Sequence, residues 1–174
     1  MRVLITGATG LIGQKIVKLC HKKNIAVNYL TTSESKIKKQ ENYQGFYWNP
    51  KTQEIDKTCF TDVDVIIHLA GATVSKRWTI DYKKEIISSR IEGTQLLINS
   101  LKGETHSIKQ IISASAIGIY PDSLVNYYDE TFTAIDNLFL GEVVKKWEEV
   151  VDGFSELNIP ISKIRIGLVL SGNG

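Results

Sequence analysis

Apolar positions along this chain follow two alternating rhythms. Val3, Leu4 and Ile5 form a short unbroken run, so Arg2–Thr6 reads as a buried opening strand. From Leu11 the spacing widens. Leu11, Ile12, Ile16, Val17, Leu19 and Cys20 recur at helical intervals, with Lys15, Lys18 and Lys22 between them, which predicts an amphipathic helix over Leu11–His21. Ala26–Leu30 is a second strand, and the polar stretch Thr31–Asn42 has room for a short helix. Gly45–Trp48 is a third strand, stopped by Asn49-Pro50. Val63–Leu69 is the most continuous apolar run, as expected of a parallel strand covered on both faces. A long helical pattern follows over Ile80–Leu101. Then come a strand at Gln110–Ser115, a polar loop at Tyr120–Ala134, a helix over Asn137–Leu157 and a strand at Ile161–Ile166 behind Pro160. About six strands alternating with helices predict right-handed crossovers and a parallel sheet covered on both faces. This is the three-layer, doubly wound Rossmann-type α/β fold, read here as one domain over residues 1–174.

The first strand-to-helix turn carries the chemistry. Thr6–Gly13 reads T-G-A-T-G-L-I-G, with glycines at Gly7, Gly10 and Gly13. In this fold the first glycine turns the chain off the strand, the second lets backbone approach a pyrophosphate, and the third lets helix and sheet pack closely. The helix N-terminus offers free N–H groups and a positive dipole end. Thr6, Gly7, Thr9, Gly10, Leu11, Ile12 and Gly13 are therefore the expected cofactor loop. A merely structural turn is the bland alternative. The end of the second strand bears on the choice of cofactor. An NAD site places an acid there for the ribose hydroxyls, but Thr31, Thr32 and Ser33 come first, then Glu34, then Lys36 and Lys38. Hydroxyls and lysines suit a 2′-phosphate, so NADP is expected ahead of NAD; a solvated loop face is the alternative for the lysines.

Composition narrows the remaining classes. Apolar residues make up 43% of the 174 and charged residues 23%, with a formal net charge of +2. That suffices for one core and excludes wholesale disorder. The basic run Lys36–Lys39 is short, so nucleic acid is not an expected partner. Cys20 and Cys59 are far apart and form no metal or disulfide pattern, and no metal is expected. No segment has the roughly 20 apolar residues of a membrane span, so the chain reads as cytoplasmic.

Several longer runs resemble one family. They are Asp64–Thr79 (D-V-I-I-H-L-A-G-A-T-V-S-K-R-W-T), Lys84–Arg90 (K-E-I-I-S-S-R), Gly93-Thr94, Ser113–Tyr120 (S-A-S-A-I-G-I-Y), Phe139-Leu140 leading into Trp147-Glu148, and Arg165–Ser171 (R-I-G-L-V-L-S). Together they resemble the atypical extended short-chain dehydrogenase/reductases, the epimerase-family proteins of the NAD-dependent epimerase/dehydratase superfamily. The resemblance implies a bound dinucleotide and a small-molecule substrate that is not defined for the family. It implies Leu69, Ala70, Gly71, Arg90 and Ser113 as further cofactor-facing positions. It also implies a longer chain than this one, so a fragment or a short form is expected where the sequence stops at Ser171–Gly174.

Short-chain dehydrogenases transfer the proton with a Tyr and a Lys four residues later on one helix, assisted by a Ser. The Asn137–Leu157 helix contains no Tyr-x-x-x-Lys. Ser115 matches the Ser position, and Arg90 stands where ordinary relatives carry Asn. Tyr120 is the candidate substitute acid or else an aromatic wall, and Glu142 either points into the site or makes a surface pair with Lys145 or Lys146. His68 reads as a hydrogen-bonded core histidine. Lys76, Arg77 and Trp78 follow a strand's C-terminal end, where open α/β sheets bind ligands, and are candidate substrate contacts. Two functional classes follow: an NADP-dependent oxidoreductase or epimerase-like enzyme, and a cofactor-binding sensor or scaffold without turnover.

Overall fold

The structure, a computed structural model, describes residues 1–171; the final three residues of the expected domain lie outside the described residues. Parallel strands β1 (Arg2–Thr6), β2 (Ala26–Thr31), β4 (Tyr43–Asn49), β6 (Val65–His68), β7 (Gln110–Ala116) and β8 (Ile161–Ile166) pair in the order β4-β2-β1-β6-β7-β8. Two short antiparallel strands, β3 (Lys39–Gln40) and β5 (Glu54–Ile55), flank β4. The strand order reverses between β1 and β6, which is where such sheets open a ligand crevice.

Side-chain alternation assigns the layers. Val3 and Ile5 of β1 join Val27 and Tyr29 of β2 against α1 (Leu11–Lys22), through Ile16, Val17 and Cys20. Leu4, Leu30, Ile66 and Ile111 point the other way, against Leu96, Leu97 and Leu101 of α2 (Ile80–Leu101). Helix α3 (Phe139–Asp152) lays Trp147 and Val151 over Ala114 of β7 and Ile166 of β8. The fold is thus the doubly wound Rossmann-type sheet read from the sequence.

Beyond shifts of one or two residues at strand and helix ends, three differences from the expected elements have a local cause. The α3 pattern tightens into a 3₁₀ turn at Gly153–Leu157 instead of continuing as α-helix. Val63 is buried but precedes the β6 ladder, its N–H bonding back to the Phe60 carbonyl. The polar Thr31–Asn42 segment holds a single 3₁₀ turn, Glu34–Lys36, and then β3.

Candidate functional site

The turn off β1 is built around two glycines. Gly7 has φ +71°, the left-handed region, and a Cβ there would stand 3.1 Å from the Leu69 carbonyl carbon. At Gly13 a Cβ would fall 2.2 Å from the Gly7 carbonyl oxygen, so α1 can start this close to the turn only with glycine. Gly10 caps α1 without a side-chain hydrogen bond, and the first turn carries no acid. The helix end therefore remains a ready anion site.

That helix end opens into a cleft of about 420 Å³ whose walls come from both halves of the sheet. Gly7, Gly10, Leu11, Ile12 and Gly13 form one end. Leu69, Ser115, Leu140, Val144 and Trp147 belong to the other. Arg90 is the one charged side chain on its walls among the described residues.

A chain of hydrogen bonds fixes the floor between the two halves. Thr6 Oγ1 accepts from the backbone N–H groups of Leu69 and Ala70, both at 3.0 Å, so its own hydrogen goes to His68 Nδ1 at 2.7 Å. Thr94 Oγ1 donates to the Arg90 carbonyl at 2.7 Å, so His68 Nε2–H donates to Thr94 at 3.0 Å. These partners require a neutral imidazole. Burial first, then the nearby Arg90 charge, pulls the His68 pKa down to about 4. His68 is the core histidine expected, and Thr6 acts through this chain by fixing the turn at Leu69-Ala70.

Arg90 projects from α2. Its Nη1 donates to the carbonyls of Ala72 (3.2 Å) and Ile86 (2.8 Å), and its guanidinium lies 4.9 Å from the Trp147 ring centroid. Gly71 makes room for it: a Cβ there would stand 3.2 Å from Arg90 Cζ. Arg90 Nε and Trp147 Nε1 are both buried with no hydrogen-bond partner. Both donors are sealed inside the wall beside the cleft, where the Arg90–Trp147 stacking leaves them without acceptors.

Ser115, at the end of β7, donates its hydroxyl to the buried carboxylate of Glu148 on α3. Arg165 of β8 grips the same carboxylate through Nε and Nη2, both at 3.0 Å. Burial pushes the Glu148 pKa up, but hydrogen bonds from Arg165 and Ser115 and the charges of Arg165 and Lys163 outweigh it. They hold the carboxyl below its ordinary range. Glu148 stands in the sequence only as part of the Trp147-Glu148 match and with no role; the signal for one was an acid inside the apolar stripe Val144, Trp147, Val151.

Two of the candidate catalytic residues lie outside this cleft. The 3₁₀ turn Ile117–Ile119 carries Tyr120 away from the cleft, into a separate 300 Å³ cavity. There its hydroxyl accepts from Arg165 Nη1 at 2.8 Å and its ring stacks on Tyr128. Glu142 is exposed and pairs with Lys146 at 2.6 Å, so it takes the surface alternative and does not enter the site. The α3 residues that do line the cleft at a four-residue spacing are Leu140 with Val144 and Val143 with Trp147, and none of them is a proton-transfer group.

The remaining candidates scatter as follows. Ser113 is fully buried in β7, hydrogen-bonded to the Ala114 carbonyl, and does not line the cleft. Thr31 ends β2 and accepts the Ser33 N–H at 3.2 Å, with Thr32 and Lys36 exposed beyond it. Tyr29 pins that loop, its hydroxyl donating to the Lys36 carbonyl and accepting the Lys38 N–H. Thr9 is exposed, and its carbonyl accepts from Gln14. Lys76, Arg77 and Trp78 are exposed on the loop before α2, where Trp78 meets Phe139 edge-on at 5.2 Å and donates to the carbonyl of cleft-lining Val74.

A model of the NAD dependent epimerase/dehydratase family matches residues 3–136. An epimerase family protein of Staphylococcus aureus (strain NCTC 8325 / PS 47) is 34% identical over 175 residues, covering 98% of this chain and 56% of its own length. One from Staphylococcus saprophyticus is likewise 34% identical, over 171 residues, with the same coverage. The chain thus spans little more than half the length of these curated relatives. Among solved structures, a human epimerase family protein (isoform 2) with NADPH superposes with a TM-score of 0.77 at 24% identity, over 100% of this chain and 56% of that one. A Corynebacterium glutamicum nucleoside-diphosphate sugar epimerase gives 0.79 at 25%, over 100% and 35%. A Bacillus cereus UDP-glucuronic acid 4-epimerase in complex with NAD gives 0.75 at 20%, over 96% and 56%.

Proposed function

The chain belongs to the NAD dependent epimerase/dehydratase family, and on that premise we propose that it binds a nicotinamide dinucleotide along the cleft, NADP ahead of NAD, for hydride exchange with a small substrate of the oxidoreductase or nucleotide-sugar epimerase type. The observation that carries this reading is the Gly7–Gly13 turn. It presents an uncapped, acid-free helix N-terminus to the cleft where the strand order reverses. Solved relatives that hold NADPH or NAD support the cofactor class.

Gly7, Gly10 and the first turn of α1 would hold the pyrophosphate. The loop after β2 would meet the adenosine ribose. No acid stands at the end of β2, and Thr31, Thr32, Ser33 and Lys36 occupy that turn, which supports NADP. The cofactor would accept or deliver hydride. Ser115, whose own hydrogen goes to Glu148, would accept a hydrogen bond from a substrate hydroxyl beside the ring, with the apolar Leu140 and Val144 excluding water there.

A second reading, a cofactor-binding sensor or scaffold without turnover, is favoured by one observation. The cleft-facing pair Leu140 and Val144 cannot exchange protons. Titration with NADPH and NADH, followed by single-turnover mixing of the NADPH complex with a panel of carbonyl compounds, separates the two. Oxidation of bound NADPH by any member supports the enzyme. Tight binding without oxidation supports the sensor, and absence of binding overturns both.

A further inference from the structure

Arg90 is a guanidinium without a counter-ion. None of the ion pairs among the described residues includes it. Burial is the main influence on it and pushes its pKa down, opposed by Tyr82. Arginine starts so high that it keeps its charge. The neighbouring titratable group, His68, is fully buried and locked neutral between Thr6 and Thr94. No Asp or Glu side chain lines the cleft among the described residues. One fixed positive charge therefore acts on an otherwise uncharged chamber.

Its position within that chamber follows from its contacts. The pyrophosphate end is the α1 N-terminus beside β1. Arg90 instead faces Trp147 on α3, whose ring packs over β7 and β8, the strands of the second mononucleotide half. In a doubly wound sheet that half takes the nicotinamide nucleotide. The backbone carbonyls of Ala72 and Ile86 and the Trp147 face hold the guanidinium there, so it cannot swing away when a ligand enters.

An oxidised nicotinamide ring carries a positive charge and a reduced ring carries none. We infer that Arg90 makes this cleft discriminate between the redox states of the cofactor, holding the reduced dinucleotide more tightly than the oxidised one. The inference rests on the cofactor reading above and adds a direction to it: the protein retains NADPH and releases NADP⁺. By linkage the same bias makes bound NADPH a weaker hydride donor, so that it favours hydride transfer to bound NADP⁺ in an enzyme, and it reports the reduced fraction of the pool in a sensor.

The test is calorimetric titration of NADPH and of NADP⁺ into the unsubstituted chain, Arg90→Gln and Arg90→Lys. Each protein serves as its own control, because a general loss of affinity cancels in the ratio of the two dissociation constants. The expected ratio in the unsubstituted chain is at least about 10-fold in favour of NADPH, the size of one charge–charge interaction across several ångströms at intermediate dielectric. Arg90→Gln should bring the ratio near one, and Arg90→Lys, which keeps the charge, should preserve most of it. Equal weakening of both forms by Arg90→Gln assigns Arg90 to the pyrophosphate and overturns the inference. A ratio near one in the unsubstituted chain overturns it without any variant. Failure of the unsubstituted chain to bind either form overturns the cofactor reading, and the inference with it.

Discussion

Ser115 at the end of β7 and Glu148 on α3, 33 residues apart, share a buried hydrogen bond, with Arg165 closing the far side of the carboxylate. This pair ties the Ser115 end of the cleft to the last strand of the sheet. Glu148→Ala should remove the partner of both Ser115 and Arg165 and destabilise the fold by about 2–3 kcal/mol, the lower range for breaking a largely buried ion pair because Arg165 keeps some solvent contact. Urea denaturation of the variant against the unsubstituted chain measures it. A loss below about 0.5 kcal/mol would show the pair to be worth no more than a surface contact.

His68 gives the fold a specific acid sensitivity. Its folded pKa, about 4, lies below its ordinary value of 6.5. On acidification the unfolded chain takes up a proton first. Stability from this group is therefore complete above pH 6.5, falls through the window between, and is fully lost below about 4. Melting temperature measured against pH should show this decline, and His68→Phe should flatten it between pH 6.5 and 5 even if the variant is less stable throughout. An unchanged slope in His68→Phe would assign the acid sensitivity to other groups.

Tyr120→Phe deletes a hydroxyl that accepts from Arg165 on the wall of the second cavity. Its expected cost is about 1 kcal/mol of stability, one hydrogen bond to a charged group. NADPH affinity and any turnover should stay within two-fold of the unsubstituted protein. A fall in turnover on the order of 10²-fold, the scale of lost general acid catalysis, would return Tyr120 to the reactive site.

What was legible in the sequence was whatever burial writes as a pattern. The continuous apolar strands, α2 and the glycine turn were all readable because a sheet covered on both faces leaves no polar alternation. The strands β3 and β5 were not. They are two-residue edge pairs with exposed residues, and no hydrophobic period marks them. Tyr120 was misplaced because a single 3₁₀ turn after β7 decides which cavity its ring enters, and spacing does not encode that rotation. The role of Glu148 was not legible because its partners Ser115 and Arg165 come from two strands distant in sequence from α3, and an acid in an apolar stripe was its local trace.

On the proposed reading cofactor choice is set by the loop after β2, where the Tyr29 hydroxyl donates to the Lys36 carbonyl and accepts the Lys38 N–H. NADPH should bind more tightly than NADH at low salt. The difference should narrow as salt rises, since Lys36 is exposed and its charge is screened. Lys36→Glu should cost about five-fold in NADPH affinity with little effect on NADH, the size of one exposed charge contact. Paired titrations at two salt concentrations decide it, and equal affinities at low salt would refute the preference.

The account depends most on Gly10, which caps α1 at the mouth of the cleft and lines it with no side chain of its own. Valine there would put a branched side chain where the pyrophosphate is to lie, while the β-region backbone of Gly10, φ −78° and ψ 175°, is one that valine readily adopts. The decisive measurement is calorimetric titration of NADPH into the unsubstituted chain and into Gly10→Val, with circular dichroism confirming that both are folded. The account predicts one NADPH per unsubstituted chain and a loss of affinity on the order of 100-fold in the variant, about 2.7 kcal/mol of binding free energy. A folded Gly10→Val that binds NADPH as tightly as the unsubstituted chain, or an unsubstituted chain that binds none, would contradict it.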